Sequence, residues 1–282
     1  KIFDITKEIA WQVNQMKPDL VGISVFTLNY QRSIELAKEI KNVNKSIPII
    51  FGGVHPISVP EVVIGQDCVD MVCAGEGEYA LRELLDSFTQ SVKRTDIQNI
   101  WFKNNGTVIK NSIRPLIEDL DTLPFPDKKL FYEIYPGFIR NDYYTASSRG
   151  CPFACTYCAN NVFQKVYRGL GKPVRRRSPR NMIDELFLAK QNYPLRQVTF
   201  VDDVFVQDIR WLKEFVSEYK KKIGLPYVIL THPLFVTPEI VKLLSDSGCY
   251  FLLFGIQSVS EKTRREVLRR FEATFHCLVI EG

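Results

Sequence analysis

Short apolar segments alternate with helical patterns in two separate runs of this 282-residue chain, and that alternation restricts the fold more than any other feature. Neighbouring strands separated by a helix run parallel, because each needs a crossover connection. In the first run Ile5, Ile9, Val13 and Met16 recur at helical spacing, and Lys17-Pro18-Asp19 stops that helix. Strands are expected at Leu20–Ser24, Pro48–Phe51 and Met71–Ala74. Helices are expected over Tyr30–Val43, near Pro60–Gly65, and from Gly75-Glu76-Gly77-Glu78 to Thr89. Near-continuous apolar strands fit a sheet covered on both faces.

Residues 91–136 break the rhythm. Ile100–Phe102 and Val108–Lys110 flank Asn105-Gly106, a hairpin signal, and residues 121–127 are punctuated by proline. This stretch reads as a linker with a hairpin. Strands are then expected at Tyr143–Ser147, Gln197–Asp202, Tyr227–Thr231 and Tyr250–Gly255. Ser178-Pro179 and Thr237-Pro238 have the chemistry of helix starts, and further helices are expected over 208–222 and 260–270. Four consecutive strand–helix units make about half of a barrel. The expected class is α/β: a Rossmann-like parallel-sheet domain over 1–90, the linker over 91–136, and a partial (β/α) TIM-like barrel over 137–282.

Composition narrows the function classes. With 45% hydrophobic and 24% charged residues the chain is an ordinary globular protein. Lys and Arg number 37 against 32 acids, a surplus of +5 that does not argue for nucleic acid. The densest basic run, Lys172 to Arg180, lacks interleaved aromatics and reads as a solvated face leading into a helix. The longest apolar run, Tyr250–Ile256, is too short for a membrane span, and the N-terminus Lys1-Ile2-Phe3-Asp4 has no signal-peptide apolar core, so a cytoplasmic location is expected. Seven cysteines, three of them within eight residues, indicate a metal or cluster site in a reducing compartment and not a disulfide framework.

Those three stand in Arg149-Gly150-Cys151-Pro152-Phe153-Ala154-Cys155-Thr156-Tyr157-Cys158, spaced C-x3-C-x2-C directly after the first strand of the second run. Three thiolates on one tight loop can grip three corners of a cubane iron–sulfur cluster and leave the fourth iron open. The competing readings are structural zinc, which wants four ligands in two separated pairs, and three unrelated core cysteines. Cys68, Cys73, Cys249 and Cys277 sit among apolar residues and read as core.

The segment, with aromatic Tyr157 before the third cysteine, resembles the signature of the radical S-adenosylmethionine superfamily, and the resemblance runs from about Asp142 to the end. It implies that Cys151, Cys155 and Cys158 hold a [4Fe–4S] cluster whose open iron takes the amino and carboxylate groups of S-adenosyl-L-methionine. One electron then cleaves the sulfonium to a 5′-deoxyadenosyl radical or supports methyl transfer. It places Tyr157 among the cofactor-binding residues and Asp202 or Asp203 beside the methionine amino group; a polar strand end is the plainer reading of the two acids. Gln257 and Ser258, in Phe254-Gly255-Ile256-Gln257-Ser258, match the segment that touches the ribose. His232, after the third strand of this run, is expected to line the substrate cavity.

Pro18-Asp19-Leu20-Val21-Gly22-Ile23-Ser24, Phe51-Gly52-Gly53-Val54-His55-Pro56 and Gly75-Glu76-Gly77-Glu78 together resemble the cobalamin-binding domain that precedes many radical S-adenosylmethionine domains. Glycines after parallel strands let backbone approach a ligand at the carboxyl edge of the sheet. The implied cobalamin-binding residues are Ser24, Gly52, Gly53, His55, Gly75, Glu76 and Gly77. An ordinary doubly wound domain, or a nucleotide site, is the alternative, though Gly75-Glu76-Gly77 is too short for a dinucleotide fingerprint. The Asp-x-His-x-x-Gly motif that supplies a lower cobalt ligand in methionine-synthase-type domains is absent. The resemblance therefore implies cobalamin without a histidine ligand, with His55 facing the corrin edge.

The combination implies a cobalamin-dependent radical S-adenosylmethionine enzyme that transfers a methyl group to an unactivated carbon or phosphorus centre. The alternatives are a radical oxidative cyclase or rearrangement enzyme of the anaerobic tetrapyrrole cyclase type, and a non-catalytic cobalamin- or metal-binding protein. The implied partners are a small-molecule substrate and an electron donor such as flavodoxin or ferredoxin. No residue is assigned a catalytic role beyond cofactor binding. The chain lacks an initiator Met and closes on the apolar piece Phe275–Gly282, so it reads as a fragment of a longer enzyme, with the first strand of its first sheet missing and its barrel truncated.

Overall fold

A computed structural model describes residues 5–92, 94–104, 106–134 and 142–270. The chain divides into two units: Lys1–Leu116 with Val162–Gly171, and Ile117–Asn161 with Lys172–Gly282.

The first unit runs α1 (Ile5–Met16), β1 (Val21–Ser24), α2 (Tyr30–Val43), β2 (Ile49–Gly52), α3 (Val54–Ser58), α4 (Pro60–Ile64), β3 (Met71–Cys73), α5 (Glu78–Thr89), β4 (Ile100–Asn104) and β5 (Thr107–Lys110). The strands lie in chain order in one sheet; β1, β2 and β3 pair parallel, and β4 and β5 continue it antiparallel. Alternation along β2 explains the two cores. Ile49 and Phe51 pack with Ile34, Ala37 and Ile40 of α2 on one face. Ile50 points to the other, against Ala80 and Leu84 of α5.

The hairpin is part of this sheet, which corrects the reading of 91–136 as a linker. β3 has an unpaired side that β4 closes, with Val72 opposite Trp101 and Met71 opposite Phe102. Both aromatics are thereby buried, one on each face of the sheet. The boundary between the units falls at Leu116/Ile117.

The second unit holds α6 (Lys129–Ile134), β6 (Asp142–Thr145), β7 (Ser148–Arg149), the start of α7 (Ala159–Val166), β8 (Arg175–Arg176), α8 (Pro179–Asn192), β9 (Gln197–Phe200), α9 (Ile209–Lys222), β10 (Tyr227–Leu230), α10 (Pro238–Asp246) and β11 (Cys249–Leu253). β6, β9, β10 and β11 form a parallel sheet in simple sequential order, with Tyr143 level with Val198 and Val198 with Tyr227. Sequential addition of strand–helix units is how a (β/α) barrel is built, and these four make an open half of one. The expected helix starts are present: Ser178 accepts from the Asn181 N–H and Thr237 from the Ile240 N–H. Phe200, Phe205, Phe215, Tyr219 and Tyr227 fill the core between this sheet and its helices. The expected final helix is instead a π-helical turn over Thr263–Val267. Cys277 and the terminal apolar piece lie outside the described residues.

The ends of the basic run, Lys172 and Arg180, are exposed as expected, but its three central arginines are not a solvated face. Arg175 is 7% exposed and donates to the Ile117 carbonyl at 2.9 Å. Arg176 lies 4.4 Å over the Trp211 ring and donates to the carbonyls of Val204 and Phe205. Arg177 pairs with Glu185, a carboxylate 2% exposed. Glu185 also accepts from Tyr143 at 2.8 Å and Thr145 at 3.1 Å, and Lys128 stands 3.5 Å away. Burial alone would push the Glu185 carboxyl up, but Arg177 and Lys128 hold it below its ordinary value.

Removing the centre of such a network leaves its cations uncompensated. Glu185→Ala should cost about 3–5 kcal/mol of stability, read by urea unfolding of the second unit. Because the folded carboxyl titrates low, its contribution is complete above the unfolded value of about 4.3 and fades as pH falls through the folded one. Unfolding curves of the native chain and of the alanine variant should therefore converge at acid pH and separate above it.

Candidate functional site

The cysteine loop starts where β6 ends. Its backbone turns sharply at Gly150, whose φ of +85° suits only glycine and whose missing Cβ makes room for the Pro173 carbonyl. Cys151, Cys155 and Cys158 then line one cavity of about 380 Å³ at the carboxyl end of the sheet. The walls come from the ends of β9, β10 and β11: Asp203 and Val204, then Leu230 to His232, then Leu253 to Gly255 with Gln257. Ligand sites of barrels gather at this end because the strand-to-helix loops meet there.

The two acids after β9 divide their work. Asp202, 1% exposed, accepts from the Ser147 N–H at 2.9 Å, the Ser147 hydroxyl at 2.7 Å and the Ser148 hydroxyl at 2.5 Å. It fixes the exit of β6 and does not line the cavity. Asp203 does, and it accepts from the Gly150 N–H and the Asn160 side chain; burial, with the neighbouring Asp202 charge, still raises its carboxyl above the ordinary range. Asn160 also points an N–H at Cys158 Sγ, 3.7 Å away.

Gln257 lines the cavity, with a left-handed φ of +68° that lays its side chain back over Gly255. Ser258 does not; its hydroxyl accepts from the Ser260 N–H and its carbonyl from Arg264. Tyr157 lines it, as does His232, whose ring stacks on Phe153 of the cysteine loop at 4.0 Å. The Leu234 N–H donates to His232 Nδ1, and burial together with nearby Arg270 lowers the imidazole to about 4, so it is neutral at pH 7. Phe153, Asn160, Thr231 and Arg270 are lining residues that the sequence reading missed. Asn160 could have been found two residues past the last cysteine; Arg270 carries no local signal.

The donor set favours a cluster over a single metal ion. Among the described residues no three His, Cys, Asp or Glu side chains converge on one ion position. Zinc needs that convergence, whereas a cubane takes its cysteines on three different irons. Burial pushes the Cys151 thiol up to about 11, so ligation there must expel a proton.

In the first unit the residues after β1, β2 and β3 share one sheet edge, because the three strands are parallel neighbours. Ser24 and Gly52 end their strands there, in register with each other. Gly53 has φ +101°, and a Cβ would lie 3.0 Å from the Val25 N and O, so its bareness serves the loop after β1. The Asn99 side chain lies against Gly75 and donates to the Glu76 carbonyl at 2.8 Å, and Gly77 leads into α5. The Tyr167 hydroxyl accepts from the Glu76 N–H at 2.7 Å. His55 is turned into its own loop: Nδ1 meets the Thr27 hydroxyl at 3.1 Å, the ring lies 4.2 Å from that of Tyr30, and Nε2 is buried.

Comparison with known proteins agrees with both halves. Residues 3–85 match the family model of the B12 binding domain, and residues 145–277 that of the radical SAM superfamily. An uncharacterised methyltransferase of Pyrococcus horikoshii is 28% identical over 92% of this chain and 56% of its own. Cytidylyl-2-hydroxyethylphosphonate methyltransferase of Streptomyces wedmorensis is 24% identical over 96% of this chain and 56% of its own. Anaerobic magnesium-protoporphyrin IX monomethyl ester cyclase of Rubrivivax gelatinosus is 24% identical over 90% and 46%. The chain thus spans about half the length of these relatives. The cobalamin-dependent S-adenosylmethionine radical enzyme OxsB, solved with aqua-cobalamin and S-adenosylmethionine, superposes with a TM-score of 0.71 over 92% of this chain and 38% of its own, at 18% identity. With the two domain types present in this order, the chain belongs to the radical S-adenosylmethionine superfamily, in the subgroup that carries a cobalamin-binding domain.

Proposed function

We propose that the parent of this chain is a cobalamin-dependent radical S-adenosylmethionine methyltransferase acting on an unactivated carbon or phosphorus centre of a small molecule. The observation that carries this reading is the joint lining of one cavity by Cys151, Cys155 and Cys158 in a chain that also matches a B12 binding domain. The three thiols would hold three irons of a [4Fe–4S] cluster. When bound, the cluster and S-adenosylmethionine supply one-electron cleavage of a sulfonium, and the corrin supplies a transferable methyl group.

This chain's own residues orient and shield. Asp203 and Asn160 fix the loop around the cysteines, and Asp203 presents a carboxylate suited to the amino group of S-adenosylmethionine. Gln257 offers an amide to its ribose. Thr231 brings a buried hydroxyl with no partner among the described residues to the same wall. The stacked Phe153 and His232 rings keep water from that side. At the first unit's sheet edge, exposed Phe26 and Leu28 suit a flat, largely apolar macrocycle. His55, committed to Thr27 and Tyr30, suits cobalamin held without a histidine ligand.

A flavodoxin or ferredoxin would deliver the electron to an enzyme working in the cytoplasm. Among the described residues no helix is long and apolar enough to cross a membrane. The cyclase relative supports a second reading, radical ring formation. Product analysis under anaerobic conditions separates the two: a methylated product supports the first, and a cyclised product without added mass of a methyl supports the second.

Anaerobically reconstituted protein should hold about four irons, and Cys155→Ala should lose them. Cys249→Ala, a change on β11 outside the cavity, should keep them. Equal loss in both variants would defeat the ligand assignment. His55→Ala should leave the visible spectrum of bound cobalamin unchanged; a spectrum of imidazole-ligated cobalt that vanishes in this variant would refute the histidine-free reading.

A further inference from the structure

Asn160 lies outside the three-cysteine spacing, yet it is built into the same site. It is the second residue of α7, and at 8% exposure it is buried. A buried amide is costly unless its hydrogens are bonded. The turn before α7 supplies an acceptor. Cys158 donates its N–H to the Cys155 carbonyl at 3.1 Å, and its own carbonyl accepts from the Asn161 N–H at 3.1 Å. The start of α7 is thereby folded back against the last cysteine. Asn160 Nδ2 donates to Cys158 Sγ across 3.7 Å, a longer contact than an oxygen acceptor would allow because sulfur is the larger atom. An amide nitrogen carries two protons, so the one given to Asp203 leaves another for the sulfur.

Cys158 and Asn160 line the cavity together. One-electron reduction of an iron–sulfur cluster adds negative charge, part of which falls on the ligand sulfurs. A donor aimed at such a sulfur binds the reduced state more strongly than the oxidised one and raises the reduction potential. Burial strengthens the effect, because a hydrogen bond in a low-dielectric site is electrostatically stronger than the same bond in water.

We propose that Asn160, through its hydrogen bond to Cys158 Sγ, raises the reduction potential of the cluster. This rests on the reading that Cys158 is a cluster ligand, which iron content tests separately. Asn160 is a positioning residue: it acts on the cluster through the cysteine. Leucine has nearly the size and shape of asparagine and no proton to give, so it keeps the packing and removes the bond. Asn161, the next residue of α7, supplies the matched control, since its tie to the cysteine is a backbone N–H that substitution leaves in place.

The test is spectroelectrochemical titration of the reconstituted chain, with iron counted for every variant. Asn160→Leu should keep about four irons and lower the reduced-to-oxidised ratio at a fixed poise about threefold, a negative shift of about 28 mV where tenfold is about 59 mV for a one-electron couple. Asn161→Leu should leave the ratio unchanged. An unchanged potential in Asn160→Leu, or an equal shift in Asn161→Leu, overturns the proposal. Pulsed electron paramagnetic resonance of the unaltered, reduced protein, with its asparagine side-chain amides labelled with nitrogen-15, gives a reading that needs no change at Asn160. A nitrogen-15 coupling to the cluster that persists in Asn161→Leu supports the hydrogen bond. No coupling, or one lost in Asn161→Leu, overturns it, even if Asn160→Leu fails to assemble the cluster.

Discussion

Two adjacent carboxylates at the end of β9 determine where the three cysteines go. Asp202 takes the backbone and hydroxyls of Ser147 and Ser148, which fixes the exit of β6. Asp203 takes Gly150 at the beginning of the cysteine loop and Asn160 just beyond its end. A loop of eight residues with three cysteines has many conformations of similar energy, and ordering it costs about 1–2 kcal/mol per residue in backbone entropy. Hydrogen bonds to charged acceptors, worth about 1.5–3 kcal/mol each, are the contacts able to offset that cost. Both acceptors stand just past the end of the neighbouring strand, so the loop is referenced to the sheet and not to itself.

The sheet beneath is held in the same way. Glu185 on α8 gathers Tyr143 and Thr145 of β6, Arg177 before its own helix, and Lys128 from the segment that precedes β6. Lys128 also lies 3.7 Å over the Tyr143 ring and donates to the Tyr144 carbonyl. Buried charge of this kind adds little to net stability compared with apolar packing, but it admits few alternative arrangements. In the first unit a neutral residue does the equivalent work: Asn99 joins the Glu76 carbonyl to the Arg114 N–H and so sets the loop after β3.

What was legible in the sequence is what depends on local pattern. The parallel strands, the capped helices α8 and α10 and the cysteine loop all follow from periodicity, caps and spacing read within about fifteen residues. The hairpin Ile100–Lys110 was legible as a hairpin, but nothing local says which sheet it joins; the open side of β3 decides that. The arginines 175–177 looked solvated because charge usually is. Their burial depends on Glu185, the Ile117 carbonyl and the Trp211 ring, none of which the run itself reveals. Asp202 and Asp203 alternate along an extended exit, so one turns inward to the serines and the other toward the cavity; only the position of β6 tells which. Arg270 reaches the site from 112 positions beyond Cys158, a distance over which spacing carries no information.

The cavity's electrostatics follow from these placements. Its walls hold three thiols, one of them raised to about 11, a carboxyl raised by burial, and a neutral imidazole. Arg270 is the one permanently charged cation among the described residues of that lining. Such a wall is close to neutral while the thiols carry protons and strongly anionic once they lose them, so the thiolate state depends on a polycation entering between them. Iron meets that demand, and each thiolate it binds releases a proton. The residual negative charge of a three-cysteine cluster then faces Arg270 through Tyr157 on one side and Asn160 on another. The polar residues that the sequence pattern left unexplained are thus the ones that complete the charge balance around the cysteines it made plain.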